Sequence, residues 1–119
     1  MAYQSFEDLE VWKRGCRQAV GVYRTLETCR RYSLKDQMER SALSVPSNIA
    51  EGAERDSKDD FVRFIRIAKG SNGELRTQIY IAAELGLIDR EKSREMISES
   101  KEISSMLQGL VRSIQTHDS

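Results

Sequence analysis

Apolar residues recur along this chain at alternating steps of three and four positions, which is the spacing of one face of an α-helix. The repeat is interrupted three times, and it predicts helices over residues 6–29, 34–55, 58–86 and 90–115. Long helices that are joined by short loops pack as antiparallel neighbours. We therefore expect one all-α domain over residues 1–119, an up-and-down antiparallel four-helix bundle.

The same repeat predicts which side chains face the core. On the first helix these are Leu9, Trp12, Cys16, Ala19, Tyr23 and Leu26. On the third helix they are Phe61, Ile65, Ala68, Asn72, Leu75, Ile79 and Ala82. Ser33 and Ser57 are predicted N-terminal caps of the second and third helices, since each is followed three residues later by an aspartate. Gly86 is a predicted C-terminal cap.

The second helix contains the only proline of the chain, Pro46. A proline inside a helix removes one backbone hydrogen bond and clashes with the carbonyl four residues back, at a cost of about 3 kcal/mol. One solution is a kinked helix in which Ser44, Ser47 and Asn48 satisfy the freed carbonyls. The other is a helix that ends at Val45 and restarts with Pro46 in its first turn. We favour the kinked helix.

Small and polar residues interrupt the apolar face of the third helix. Asn72 is the one polar residue on that predicted face, and a buried asparagine can fix the register or oligomeric state of helices. Gly70, Ser71 and Gly73 have no propensity reason to lie inside a helix. We expect them to let the segment around Pro46 approach closely, the alternative being a weak and partly exposed helical turn.

A second apolar line lies off the predicted core faces. On the third helix it consists of Ile67, Ile81 and Leu85, and on the first helix of Val11 and Val22, with Cys29 beyond them. A monomeric bundle needs one apolar stripe per helix, so a second stripe indicates a partner surface. We expect these residues to form a homo-oligomer interface, although wider core faces would explain part of the pattern.

The charges balance overall, with 19 basic and 19 acidic side chains, so a nucleic-acid site must come from their distribution. One basic line on the first helix is formed by Lys13, Arg17, Arg24 and Arg31. A second, on one flank of the third helix near Tyr80, is formed by Lys58, Arg66, Lys69 and Arg76. Such stripes suit a phosphate backbone. Alternatively they pair across helices or subunits with the acidic line Glu91, Glu95, Glu99 and Glu102.

Catalytic and metal-binding patterns are missing from the sequence. There is no Glu-x-x-His pair and no glycine-rich phosphate loop, and the single histidine, His117, lies in the tail. Glu51 and Glu74 have no partner group for acid–base work. We expect Glu51 to pair with Arg55, and Glu74 with a donor near Pro46. The sequence thus predicts a protein that is not an enzyme and holds no metal and no cofactor.

The two cysteines, Cys16 and Cys29, have neither CxxC spacing nor a nearby histidine. We interpret them as reduced packing residues. No basic-then-apolar leader and no membrane-length apolar run is present, so we expect a soluble, cytoplasmic protein with no membrane partner.

Two sequence blocks carry a family resemblance. Residues 37–55 read QMERSALSVPSNIAEGAER, and residues 67–77 contain the pattern IAxGSxxELxT. With the FEDLEVW segment at residues 6–12, these blocks resemble the four-helix-bundle family of 23S rRNA intervening-sequence proteins, which is similar to the accessory variability determinant proteins of diversity-generating retroelements. The motif residues are Pro46, Ser47, Asn48, Glu51, Gly52, Gly70, Ser71, Asn72 and Glu74.

This resemblance implies a homopentamer with a basic surface near its central channel and no catalytic residues. It also implies binding to rRNA or another structured nucleic acid, and a reverse transcriptase as a further partner. We therefore expect a non-catalytic oligomeric adapter that binds nucleic acid, most simply RNA. The alternative is a homo-oligomeric scaffold for protein interactions whose basic stripes have no nucleic-acid role.

Overall fold

The computed structural model describes residues 5–116 and confirms an all-α four-helix bundle. A 3₁₀ turn at Phe6–Asp8 precedes four helices, which we number α1 (Glu10–Thr25), α2 (Tyr32–Ala53), α3 (Lys58–Glu84) and α4 (Arg90–Thr116). Each helix packs on the next one in the chain, and α4 returns to pack on α1. The bundle is elongated, 50 × 20 × 19 Å, and residues 5–116 contain no strand.

The helix ends follow local chemistry in most places. Ser57 accepts a hydrogen bond from the Asp60 backbone and so caps α3, as predicted. Gly86 has a φ of 73°, and beyond it the Leu87 N–H bonds to the Ala82 carbonyl at 2.9 Å. This is the six-to-one bond of a Schellman motif, in which glycine adopts the left-handed conformation at no steric cost.

Two predictions about the first loop are wrong. α1 ends at Thr25 instead of residue 29, so Arg31 does not lie on that helix. Arg31 is instead the N-terminal cap position of α2, and no side chain caps this helix, so Ser33 does not serve as its cap. The physical reason is packing, because Leu26 is buried in the core and turns the chain immediately after α1.

The hydrophobic core consists of two apolar halves with polar residues between them. One half comprises Val11, Val45, Ile49, Phe61, Val62, Ile65, Ala68, Ile103, Leu107, Val111 and Ile114. The other comprises Ala19, Val22, Leu26, Met38, Ala42, Leu75, Ile79, Ala82 and Ile88. Asn72 and Ser100, both fully buried, belong to neither cluster. The middle of the bundle is therefore held by hydrogen bonds as well as by apolar packing.

The predicted core face of α1 is rotated by about one position from the observed face. Val11 and Val22 are buried in the core, whereas Tyr23 is 42% exposed. Gly15 is also buried on the observed face and lies against Pro46 of α2, where an added Cβ would be in ordinary van der Waals contact at 3.5 Å. The observed face is therefore the one that packs against α2 at this point. Placing Val11 and Val22 in an oligomer interface was therefore wrong.

α2 runs without a break through Pro46, which is buried, so a helix that ends at Val45 is ruled out. The Asn48 side chain donates to the Ser44 carbonyl and to the Ser44 hydroxyl, both at 2.8 Å. It thereby links the two sides of the turn around the proline, while the Ser47 hydroxyl is exposed and makes no hydrogen bond within residues 5–116, so the predicted role of Ser47 is wrong. The bend itself remains a prediction.

The close contact between α2 and α3 depends on Gly52. A Cβ at this position would lie 2.7 Å from the Phe64 Cβ, a distance that real Cβ atoms essentially never show, and 3.2 Å from the Phe61 carbonyl oxygen, which is a tight contact. At Gly70 and Gly73 an added Cβ would meet nothing within 4 Å. The predicted close approach at these two glycines is therefore wrong, because both lie towards solvent on α3.

Candidate nucleic-acid interface

A buried hydrogen-bond network joins three helices at the centre of the bundle. The Asn72 amide on α3 donates to the Ser100 backbone carbonyl on α4 at 2.7 Å and accepts from Gln18 of α1 at 3.2 Å. Arg76, one turn after Asn72, donates through Nε to the Ser100 hydroxyl at 3.0 Å. This network confirms Asn72 as a buried polar residue that fixes the relative positions of neighbouring helices.

The family-motif residues of α2 and α3 meet through Ser44 and Ser71, whose hydroxyls lie 2.8 Å apart. The segment around Pro46 therefore does contact Ser71, as predicted. Glu51 pairs with Arg55 at 3.0 Å, which was also predicted. Glu74 is exposed and has no polar partner within residues 5–116, so its predicted pairing near Pro46 is wrong. Ser71, on the side of α3 that faces α2, makes the contact instead.

The edge between α1 and α4 is held by an ion pair that the sequence pattern did not indicate. Arg14 donates to both carboxylate oxygens of Glu99, at 2.6 and 2.9 Å, and its guanidinium lies 3.2 Å from Glu102. The hydrogen bond to Glu99 raises the pKa of Arg14 above its ordinary value. The sequence pattern did not single out Arg14, because the predicted core face of α1 was wrong by about one position. With the observed core face, Arg14 lies on the side of α1 next to α4.

The basic line predicted on α1 forms a weaker candidate than expected. Arg17 pairs with Glu10 of the same helix at 3.1 Å. Lys13 and Arg24 are exposed and have no ion pair within residues 5–116. Because Arg31 lies beyond the helix, the line along α1 is shorter than predicted, and of its members only Arg17 lines the depression that contains Glu95 and Glu99 of α4.

α4 separates its charges between its two edges. Towards α1 it presents Glu95 and Glu99, which line a depression with Arg17 and Gln18. Towards α3 it presents Arg90 and Arg94, which line a different depression with Tyr80, Ala83 and Glu84 of α3. Positions seven residues apart share one helix edge. Arg94, Lys101, Gln108 and Gln115 therefore continue this basic edge along α4.

α3 and α4 pack side by side and leave an open depression at each end of their shared edge, which we call the α3–α4 groove. Lys69 of α3 reaches across it and donates to the Gln108 side chain at 3.0 Å. At one end Lys58, Arg66 and Gln115 line an open depression of about 630 Å³. Arg112 lies one turn after Gln108, so it belongs to the same edge. The cations along the groove include Lys58, Arg66, Lys69, Arg76, Arg90, Arg94, Lys101 and Arg112. Arg63 also lines the depression and pairs with Asp60 at 3.5 Å.

The predicted basic residues therefore fall into two separate groups. Lys58, Arg66, Lys69 and Arg76 lie along the α3–α4 groove. Lys13, Arg17 and Arg24 lie on α1, which is diagonal to α3 in the bundle, since both helices pack on α2 and α4. The cations on α4 were missed because they alternate in sequence with the acidic line. Reading that helix by its two edges, rather than by its acidic residues alone, would have found them.

The off-core apolar residues of α3 lie where the sequence predicted. Ile67, Ile81 and Leu85 are 41%, 47% and 49% exposed. They lie on the outer face of α3 and not in the bundle core. Val20, Tyr23 and Leu43 are also exposed large hydrophobic residues, on α1 and α2.

No group of three metal-binding side chains comes together within residues 5–116, and His117 lies outside the described residues. Cys16 and Cys29 are free, half-buried thiols, and burial raises the pKa of Cys16. None of the helices formed by residues 5–116 is long and apolar enough to cross a membrane.

Comparison with known proteins agrees with this fold. Residues 7–109 match the family model of the 23S rRNA-intervening sequence protein. The structure is similar to a crystal structure of a protein with unknown function from the S23 ribosomal protein family of Bacteroides thetaiotaomicron, with a TM-score of 0.80 and 24% identity over 85% of this chain and 97% of that chain. At this identity the likeness shows the fold alone. No curated protein matches the chain. Since the family model covers most of the sequence, the chain belongs to the 23S rRNA-intervening sequence protein family.

Proposed function

We propose that this protein is a non-catalytic, oligomeric adapter that binds structured RNA in the cytoplasm. The observation that carries the proposal is the α3–α4 groove, where cations of two helices lie along one shared edge. Arg66, Arg94, Lys101 and Arg112 are exposed and have no ion pair within residues 5–116. Basic side chains that track a surface of this kind neutralise phosphates and release counterions.

The balanced charge of the whole chain does not oppose this proposal. α4 directs its carboxylates towards Arg14 of α1, which binds Glu99 and Glu102. The cations Arg94, Lys101 and Arg112 on the opposite edge of α4 have no ion pair within residues 5–116. Local potential, and not net charge, determines where a polyanion binds.

Self-association would repeat the groove in every subunit. The exposed Ile67, Ile81 and Leu85 lie on α3 away from the core and supply an apolar strip for such an interface. Closed symmetry is the usual outcome for soluble homo-oligomers. The family resemblance favours five subunits, and a ring of five would present five grooves to one RNA.

A second candidate function is a scaffold for protein interactions, with a reverse transcriptase as one partner that the resemblance suggests. Its support is that several basic side chains are already used within the chain. Arg17 pairs with Glu10, while Lys69 and Arg76 donate to α4. Under this alternative the remaining cations would contact an acidic protein surface.

Binding to a fluorescent fragment of structured 23S rRNA separates the two candidates. The adapter should bind the fragment at about 150 mM salt, and its affinity should fall by several powers of ten per tenfold rise in salt concentration, with little dependence on sequence. Failure to bind any such fragment, even at low salt, would favour the scaffold. An unrelated structured RNA of equal length serves as the control for sequence preference.

A further inference from the structure

We propose that the α3–α4 groove takes an unpaired, single-stranded segment of RNA, with its phosphates on Arg94, Lys101 and Arg112 of α4 and one base stacked on Tyr80 of α3. This inference rests on the proposed function and names the part of the RNA that the groove holds. It also adds three binding residues on α4.

The three α4 cations form a track of the right kind for an extended strand. Arg94 and Arg112 are eighteen residues apart, which corresponds to about 27 Å along a helix. Lys101 lies between them, and all three side chains are exposed without an ion pair within residues 5–116. The two acidic residues that line the groove, Asp59 and Glu84, lie at its opposite ends. The row of cations between them therefore has an acidic residue at each end.

Polar, uncharged side chains are interspersed with these cations. Ser98, Ser105 and Gln108 lie on or next to the same edge of α4, and the first two are exposed. Hydroxyl and amide groups of this kind donate to phosphate and sugar oxygens without reading the bases. The groove is thus suited to a nucleic-acid backbone of any sequence.

Tyr80 distinguishes a single strand from a duplex. Its side chain is 54% exposed and lies beside Arg90 and Arg94 at one end of the groove. Proteins that bind single strands without sequence preference combine a positive groove with aromatic side chains on which bases stack. In a paired helix the bases stack on one another, so no base face is left for Tyr80. An unpaired loop or end of an RNA offers both a backbone and a free base.

The test compares one labelled RNA strand with the same strand annealed to its complement. The strand has about sixteen nucleotides, the upper end of the site sizes seen for one single-strand-binding OB-fold. We expect the single strand to bind more tightly than the duplex. Tyr80→Ala should weaken single-strand binding by about five- to a hundred-fold, and Tyr80→Phe, which keeps the ring, should bind as the wild type does. Tyr32→Ala removes another exposed tyrosine, 64% exposed, and should have no effect.

The contribution of α4 is measured with the triple variant Arg94→Gln, Lys101→Gln, Arg112→Gln. Losing three phosphate contacts should reduce the slope of log affinity against log salt by about 2, since each contact to a single strand contributes about 0.7. The control Lys13→Gln, Arg24→Gln, Arg40→Gln removes the same charge from exposed positions on α1 and α2 and should leave the slope unchanged. Circular dichroism and light scattering verify that each variant keeps its fold and assembly.

Equal or tighter binding of the duplex would overturn the inference, as would equal slope changes in the two triple variants. If the structured 23S fragment binds but the single strand does not, the inference fails and the proposed function stands. If neither RNA binds, the proposed function fails as well.

Discussion

Asn72 on α3 donates a hydrogen bond of 2.7 Å to the backbone carbonyl of Ser100 on α4, and both residues are completely buried between the two apolar halves of the core. The same contact places Arg76 against the Ser100 hydroxyl at 3.0 Å, and so sets the register of the helices that border the groove. Ser100 therefore connects the buried polar centre of the bundle, through Asn72, with the basic surface of the groove, through Arg76.

Replacing Asn72 by alanine should destabilise the fold by about 1–3 kcal/mol, because the Ser100 carbonyl and the Gln18 amide would each lose a hydrogen-bond partner at the centre of the bundle. Chemical denaturation of the variant measures this loss. Ser98→Ala, at an exposed position two residues before Ser100, is the control and should change the free energy of unfolding by no more than about 0.5 kcal/mol. If Asn72→Ala changed the free energy of unfolding by as little as the control does, the network would not stabilise the fold.

The Asn48 side chain gives a second stability prediction, at the turn around Pro46. Asn48→Ala should cost about 1–3 kcal/mol, since the two side-chain hydrogen bonds to the Ser44 carbonyl and hydroxyl would be lost at a partly buried position. Thermal unfolding is the measurement, with Ser47→Ala at the exposed neighbouring position as the control. Equal melting temperatures for the two variants would show that Asn48 does not stabilise the proline turn.

Gly52 and Gly109 form a matched pair of glycines inside helices. Gly52→Ala should destabilise the protein by about 1–3 kcal/mol, because its Cβ would lie 2.7 Å from the Phe64 Cβ and overpack the contact between α2 and α3. Gly109→Ala meets no atom within 4 Å and should stabilise α4 by about 0.5–1 kcal/mol. If both substitutions changed the free energy of unfolding in the same direction relative to the wild type, this account of helix packing would be contradicted.

The oligomer prediction concerns the exposed strip on α3. Multi-angle light scattering should give a mass near five times the 13.6 kDa of one chain. Ile81→Glu introduces a charge into the proposed interface and should dissociate the assembly. Leu43→Glu changes a residue of similar exposure, 46% against 47%, on a different helix and should leave the mass unaltered. A wild-type monomer at micromolar concentration would refute the interface.

The sequence predicts the number and order of the helices because the three–four repeat depends only on local geometry. It predicts Asn72 in the core for the same reason. The predicted inward face of α1 was wrong by about one position, since the packing of α1 on α2 and α4 depends on several helices at once and cannot be read from the spacing of α1 alone. Likewise the pairing of Arg14 with Glu99 joins residues 85 positions apart.

The candidate site was predicted only in part. Lys58, Arg66, Lys69 and Arg76 share one flank of a single helix, which periodicity reveals. The opposing cations Arg94, Lys101 and Arg112 become part of the surface only when α4 packs beside α3. A groove between two helices forms only when they pack together. The sequence of one helix therefore predicts the residues on its own side of the groove but not those on the other side.

Lysine modification read by mass spectrometry tests the central claim, RNA binding in the α3–α4 groove, most directly. The protein is acetylated with and without the structured 23S rRNA fragment, under conditions in which it has the same oligomeric state in both samples. Lys101, exposed on the groove edge of α4, should be protected by RNA, while Lys13, exposed on α1, should react at the same rate in both samples. Protection of Lys13 with continued reaction of Lys101 would contradict the proposed binding surface.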